Sequence, residues 1–154
     1  MSVKDTVKRQ YKKLADNALQ QVSALHIPSE GWIATLRKAL SMSGPQLAKR
    51  AGITKAAVYQ AERNERYGAI TLGQMEKMAH ALGGRFVYAI VPNGRVDDVI
   101  RAQALRKAQE LVRRASSHMA LEQQSLPPEQ IQTEIDRLAD DLIRRMPTNF
   151  WEAR

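Results

Sequence analysis

The sequence predicts a mainly α-helical fold with one short β-strand, and three observations carry that reading. Apolar residues recur at helical spacing, as in Val7, Tyr11, Leu14, Ala18, Val22 and Leu25. Punctuating residues close the periodic runs at Pro28, Gly52, Gly83-Gly84 and Pro127-Pro128. Two short helical patterns meet at a glycine within Gln46 to Glu62, QLAKRAGITKAAVYQAE. In that stretch Leu47, Ala48 and Ala51 share a helix face, and Gly52 accepts the positive φ that stops the helix. Ile53 is read as a buried plug, and Thr54 is a good N-cap for a second helix. That second helix turns Val58 and Ala61 inward and leaves Lys55, Ala56, Tyr59 and Gln60 outside. Two helices joined by so short a turn, the second polar and basic outside, make a helix-turn-helix.

In chain order, residues 3–25 form an amphipathic helix whose first turns are crowded by Lys4, Lys8, Arg9, Lys12 and Lys13. Ser2 and Asp5 form a capping box at its start. Trp32 opens the next helix, with Leu36, Ala39 and Leu40 assigned to its buried side and Arg37 and Lys38 pointing elsewhere. Ser43-Gly44-Pro45 starts the first helix of the motif, where the missing N–H of Pro45 costs nothing. After the ERNERYG loop, Thr71 caps a helix with the stripe Leu72, Met75, Met78, Ala79 and Leu82. The segment 85–92, RFVYAIVP, is β-prone and bounded by turn residues, with no second strand nearby to pair with it. A lone strand leaves backbone groups unpaired, so the economical partner is the same strand of a second chain, through Phe86, Val87, Tyr88, Ala89 and Ile90. Residues 96–121 read as one long helix and residues 129–146 as a last one, followed by Phe150 and Trp151. The organisation predicted is an N-terminal helix (1–27), a helix-turn-helix domain (28–84), a dimerisation strand (85–92) and a helical extension (95–154).

Composition narrows the chemistry. Cysteine is absent, which excludes disulfide scaffolds, cysteine metal sites and a thiol nucleophile. No apolar run approaches the ~18 residues of a membrane span, and the polar N-terminus is no signal peptide, so a cytoplasmic protein is expected. Residues 1–94 carry 14 Lys and Arg against 6 Asp and Glu, whereas residues 95–154 carry 10 of each. The entire net charge of +8 therefore lies on the part that holds the helix-turn-helix, which favours contact with a polyphosphate. No nucleophile elbow, phosphate loop or metal spacing occurs, and His118 has no second histidine at helical spacing, so neither an enzyme nor a cofactor is expected.

The residues from Trp32 to Gly83 resemble the helix-turn-helix domain of the phage-repressor (XRE/Cro) family. Leu47-Ala48, Ala51-Gly52-Ile53, Val58, Glu62-Arg63, Leu72 and Ala81-Leu82-Gly83 fall in register with it. Gly44 stands where the family often has a glutamine that touches phosphate or base, and Ala56 and Ala57 are short at positions that often read bases. The resemblance implies a repressor-like regulator that contacts double-stranded DNA through Pro45, Gln46, Thr54, Lys55, Ala56, Ala57, Tyr59, Gln60, Arg63 and Arg66. Lys55, Tyr59 and Gln60 are the groove-facing candidates, and Arg63 and Arg66 the phosphate contacts.

Val91-Pro92, Ala102-Gln103-Ala104, Met119-Ala120-Leu121-Glu122-Gln123-Gln124 and the terminal Phe150-Trp151 resemble the mobile mystery protein A family over nearly the whole chain. That family is commonly encoded beside a Fic-domain protein, which implies an antitoxin-like pairing. The inhibitory motif of Fic antitoxins is Ser/Thr-x-x-x-Glu followed by Gly or Asn. Its nearest match is Ser125-x-x-x-Glu129, where Gln130 follows. Two functions are thus expected: a homodimeric, sequence-specific transcriptional regulator on an inverted-repeat operator, and alternatively a protein-interaction module that neutralises a Fic-type partner.

Overall fold

A computed structural model describes residues 2–121 and 126–152, and every regular element among them is helical. In order these are α1 (Val3–Val22), α2 (Trp32–Ala39), α3 (Gly44–Ala51), α4 (Lys55–Arg66), α5 (Leu72–Ala81), α6 (Val96–Leu121) and α7 (Pro128–Arg145). The chain divides into two compact units, one of Ala24–Ala89 and one of residues 1–23 with 90–154.

In the unit Ala24–Ala89, local chemistry sets the helix ends. The Ser43 hydroxyl accepts from the Gln46 N–H at 3.2 Å, and the Gln46 amide oxygen accepts from the Ser43 N–H at 2.8 Å. Thr71 and Gln74 close α5 in the same way. Gly52, at φ 69°, ends α3 in the left-handed conformation that glycine adopts without strain. Its neighbour Ile53 donates its N–H to the Ala48 carbonyl at 3.0 Å and packs half-buried on the core. Thr54 then accepts from the Ala57 N–H at 3.1 Å to start α4. The core so enclosed is aliphatic: Leu47 and Val58 are fully buried, with Ile33, Met75, Met78 and Leu82 around them. Each such side chain contributes about 1.5–3 kcal/mol on burial.

Helix α2 is rotated from its expected register. Ile33, Ala34 and Arg37 face the core, whereas Trp32, Leu36 and Leu40 are exposed. The cause is an ion pair that inverts the usual rule for a charged residue. Arg37 Nε donates to Glu62 Oε1 at 2.6 Å, and Arg37 NH1 donates to the Met42 carbonyl at 3.1 Å. An arginine paired with a carboxylate and bonded to a carbonyl can be buried, so the core takes Arg37 and the apolar side of α2 turns out.

In the other unit α7 returns alongside α6, and Ala104, Ala108, Val112, Ile135, Ala139, Leu142 and Phe150 form its core. Small residues on α6 let the two helices approach closely. Helix α1 meets α6 through its C-terminal half, where Asp16 accepts from the Val96 N–H at 2.8 Å and Lys12 pairs with Asp97 at 2.9 Å. Of the apolar stripe of α1, Val7, Tyr11 and Leu14 are exposed, whereas Ala18 and Val22 are half-buried.

Residues 85–92 form no strand, which corrects the expectation for Phe86–Ile90. A strand exists by its ladder, and the described residues of one chain offer this segment none. Phe86 instead packs half-buried on the core of α2–α5 and stacks on Tyr88 with ring centroids 5.6 Å apart. Val87, Tyr88 and Ile90 are 71%, 69% and 96% exposed. Glu122 to Ser125, and with them part of the family signature and the start of the Fic-like motif, lie outside the described residues. No described helix is long and apolar enough to cross a membrane.

Candidate nucleic-acid interface

The unit Ala24–Ala89 holds 9 Lys and Arg against 4 Glu. Two of those four glutamates, Glu62 and Glu65, are turned to structural work. Glu62 takes the buried pair with Arg37, whose guanidinium is held above its usual pKa by that bond. Glu65 reaches back across 33 residues to the open start of α2, accepting from the Trp32 N–H at 2.5 Å and the Ile33 N–H at 2.9 Å. Gly31, at the N-cap with φ 86°, has no side chain to make these bonds. The remaining surface is cationic.

None of the helices α2 to α5 carries an acidic residue in its first turn. The capping boxes of α3 and α5 use Gln46 and Gln74, whereas that of α1 uses Asp5. A glutamine satisfies the same backbone N–H as a carboxylate without neutralising the positive end of the helix dipole. The starts of α3 and α4 therefore keep the partial positive charge that attracts phosphate.

Helix α4 is the outward-facing element of the pair. Lys55, Ala56, Gln60, Arg63 and Arg66 are exposed, and Thr54 is exposed just before them. Lys55 makes no hydrogen bond or ion pair among the described residues. Gln60 is engaged on both sides, its Nε2 donating to Asn64 Oδ1 at 2.8 Å and its Oε1 accepting from Arg63 NH2 at 2.6 Å. The triad holds the Arg63 guanidinium against the outer face of α4. On α3, Pro45 and Gln46 are exposed, with the Gln46 amide folded onto Ser43.

Tyr59 is placed differently from its expected groove-facing role. Its ring is half-buried against Gly44 with the Arg37 guanidinium 6.0 Å from its centroid. A Cβ at Gly44 would lie 2.6 Å from Tyr59 Cζ. The glycine that departs from the repressor pattern thus has a physical reason, since a longer residue there collides with Tyr59. Ala57 is half-buried, which leaves Ala56 as the short side chain at the surface.

Three contacts escaped the sequence reading: Arg37 to Glu62, Glu65 to the start of α2, and Arg50 Nε to the Ala81 carbonyl at 2.7 Å. A signal for the second exists, because a helix that begins after Gly31 needs a cap from elsewhere. No group of three potential metal ligands occurs among the described residues.

The four helices, the tight turn at Gly52 and the cationic outer face of α4 define a helix-turn-helix domain. The helix-turn-helix family model matches residues 33–88, about a third of the chain, and marks the domain as the XRE type. Such a domain is regulatory and DNA-binding, not catalytic. No curated protein and no solved structure matched the chain.

Proposed function

We propose that the chain is a cytoplasmic transcriptional regulator that binds an inverted-repeat operator as a homodimer. One observation carries this reading: α4 presents Lys55, Gln60 and Arg63 outward beside two helix starts free of acidic residues. Lys55 takes a guanine edge or a phosphate, and Gln60 pairs with adenine once its amide turns away from Asn64. Arg63, Arg66, and the starts of α3 and α4 at Pro45, Gln46 and Thr54 engage the backbone, while the exposed Ala56 admits a thymine methyl.

The second copy would cover the apolar side of α2. Trp32, Leu36, Leu82, Phe86 and Val87 line a groove of 430 Å³, and an exposed apolar surface of this kind marks an interaction site. A two-fold axis through that surface would set two α4 helices about one DNA turn apart. A dimer that neutralises about six to ten phosphates loses about 10³–10⁵ in affinity between 50 and 200 mM salt. Footprinting on the upstream DNA of its own gene at both salt concentrations tests the reading. Protection that is insensitive to salt, or protection without an inverted repeat, would overturn it. The resemblance to mobile mystery protein A supports a second role, in which residues 95–154 hold a Fic-domain partner.

A further inference from the structure

Helices α6 and α7 carry eight Lys and Arg between them. Six are paired with a carboxylate: Arg101 with Asp140, Arg113 and Arg114 with Glu110, Arg137 with Glu134, and Arg144 and Arg145 with Asp141. The two that have no carboxylate among the described residues, Arg106 and Lys107, are neighbours and line the same groove of 610 Å³. Its apolar walls are Leu111, Leu142 and Trp151.

The groove is held in shape from beneath. Phe150 is fully buried, and its carbonyl accepts from the buried Gln103 Nε2 at 2.7 Å. Lys107 donates to the Asn149 carbonyl, and Arg106 NH2 donates to Gln103 Oε1 at 2.6 Å. These bonds fasten the turn after α7 onto α6 and leave Trp151 57% exposed, edge-on to Phe150 at 5.0 Å. A tryptophan on a backbone fixed in this way has less entropy left to lose on binding, and tryptophan and arginine are among the side chains most enriched at interface hot spots.

We infer that this groove receives an acidic amphipathic helix of a partner protein, with its apolar residues on Trp151 and Leu111 and its carboxylates on Arg106 and Lys107. The proposal rests on reading residues 95–154 as a protein-binding module. Its α6 wall repeats along one helix face from Gln103 to Arg114, so an occupant lying parallel to it spans about three turns. Glu110 and Glu152 also line the groove, which disfavours a uniformly anionic polyphosphate strand and restricts the occupant's carboxylates to the positions of Arg106 and Lys107.

The test uses the full chain with Trp32→Phe, so that Trp151 is the sole tryptophan. The probe is a synthetic helical peptide repeating Glu-Leu-Leu-Glu, with its Lys-for-Glu counterpart as control. The acidic peptide should shift Trp151 emission to the blue, and the basic one should not. Arg106→Glu with Lys107→Glu should weaken binding at least tenfold. Trp151→Ala keeps both bonds to the terminal turn and is read by fluorescence anisotropy of the labelled peptide. It should weaken binding comparably. Equal affinity for both peptides, no binding of the acidic one, or indifference to both variants would overturn the proposal. Competition by an eight-residue oligothymidine at equal affinity would reassign the groove to nucleic acid, and a changed mass in light scattering of the charge-reversed variant would reassign it to a second copy. If a full-length Fic-domain partner still binds the charge-reversed variant, the groove fails while the wider module reading stands.

Discussion

Replacing Arg37 by methionine removes one half of a buried ion pair and keeps most of the side-chain volume. Glu62, only 5% exposed, then holds an uncompensated carboxylate, and the Met42 carbonyl loses its donor. Breaking a buried pair from one side costs about 3–5 kcal/mol, and the orphaned carbonyl adds about 1 kcal/mol. A unit of this size has about 3–10 kcal/mol of total stability, so the variant should sit at the edge of unfolding. At about 4–8 °C per kcal/mol its midpoint should fall by at least about 15 °C. Arg37→Met with Glu62→Leu removes both charges and should recover to within about 2 kcal/mol of the starting protein. Urea titration followed by Trp32 emission, in a Trp151→Phe background, reads the helix-turn-helix unit alone. A single variant within about 1 kcal/mol of the parent, or a double variant no better than the single, would refute the view that the pair sets the register of α2.

Glu65→Ala uncovers two N–H groups at the start of α2 and should cost about 1–2 kcal/mol in the same urea assay, with Glu65→Gln recovering part of it. Gly44→Ala should destabilise by about 1–3 kcal/mol through contact with Tyr59, and the penalty should vanish in a Tyr59→Ala background, as a double-mutant cycle by thermal melting would register. The carboxyls of Glu110, Glu134 and Asp141 are held below their ordinary values by bonds from Arg113, Arg137 and Arg144. Their stabilisation is complete above the unfolded-state pKa and is lost as pH falls through the lower folded-state values. Helicity at 222 nm should therefore hold from neutral pH to about 5 and decline below about 4, and more weakly in the triple variant Glu110→Gln, Glu134→Gln, Asp141→Asn.

The helices were legible because their signals are local. Ser2, Thr54 and Thr71 cap the helices they were expected to cap, Ser43 caps the helix it was expected to start, and Gly52 stops α3 with a positive φ. The bounds of α6, Val96 and Leu121, agree with the periodicity of residues 96–121. Faces were harder. The pattern of Trp32, Leu36 and Leu40 is a better apolar stripe than Ile33, Ala34 and Arg37, and only Glu62, 25 residues away, makes the poorer one the buried face. Tyr59 follows the same logic, since its inward turn depends on the absence of a side chain at Gly44. The segment 85–92 was legible as extended and apolar, but pairing is a property of a partner and not of the segment.

Along α4, the residues that hold the domain together and those that face outward never coincide. Val58, Ala61, Glu62 and Glu65 keep the helix at a set height and rotation, while Lys55, Ala56, Gln60 and Arg63 carry no part of the core. Exposed positions without a structural duty tolerate exchange at about ±0.5 kcal/mol. On the proposed reading of α4, a lineage of such proteins can therefore drift to new target sequences through three or four surface positions, without passing through unstable intermediates. The same division makes the domain a practical starting point for reprogramming, with the two glutamates left untouched and the outer face varied freely.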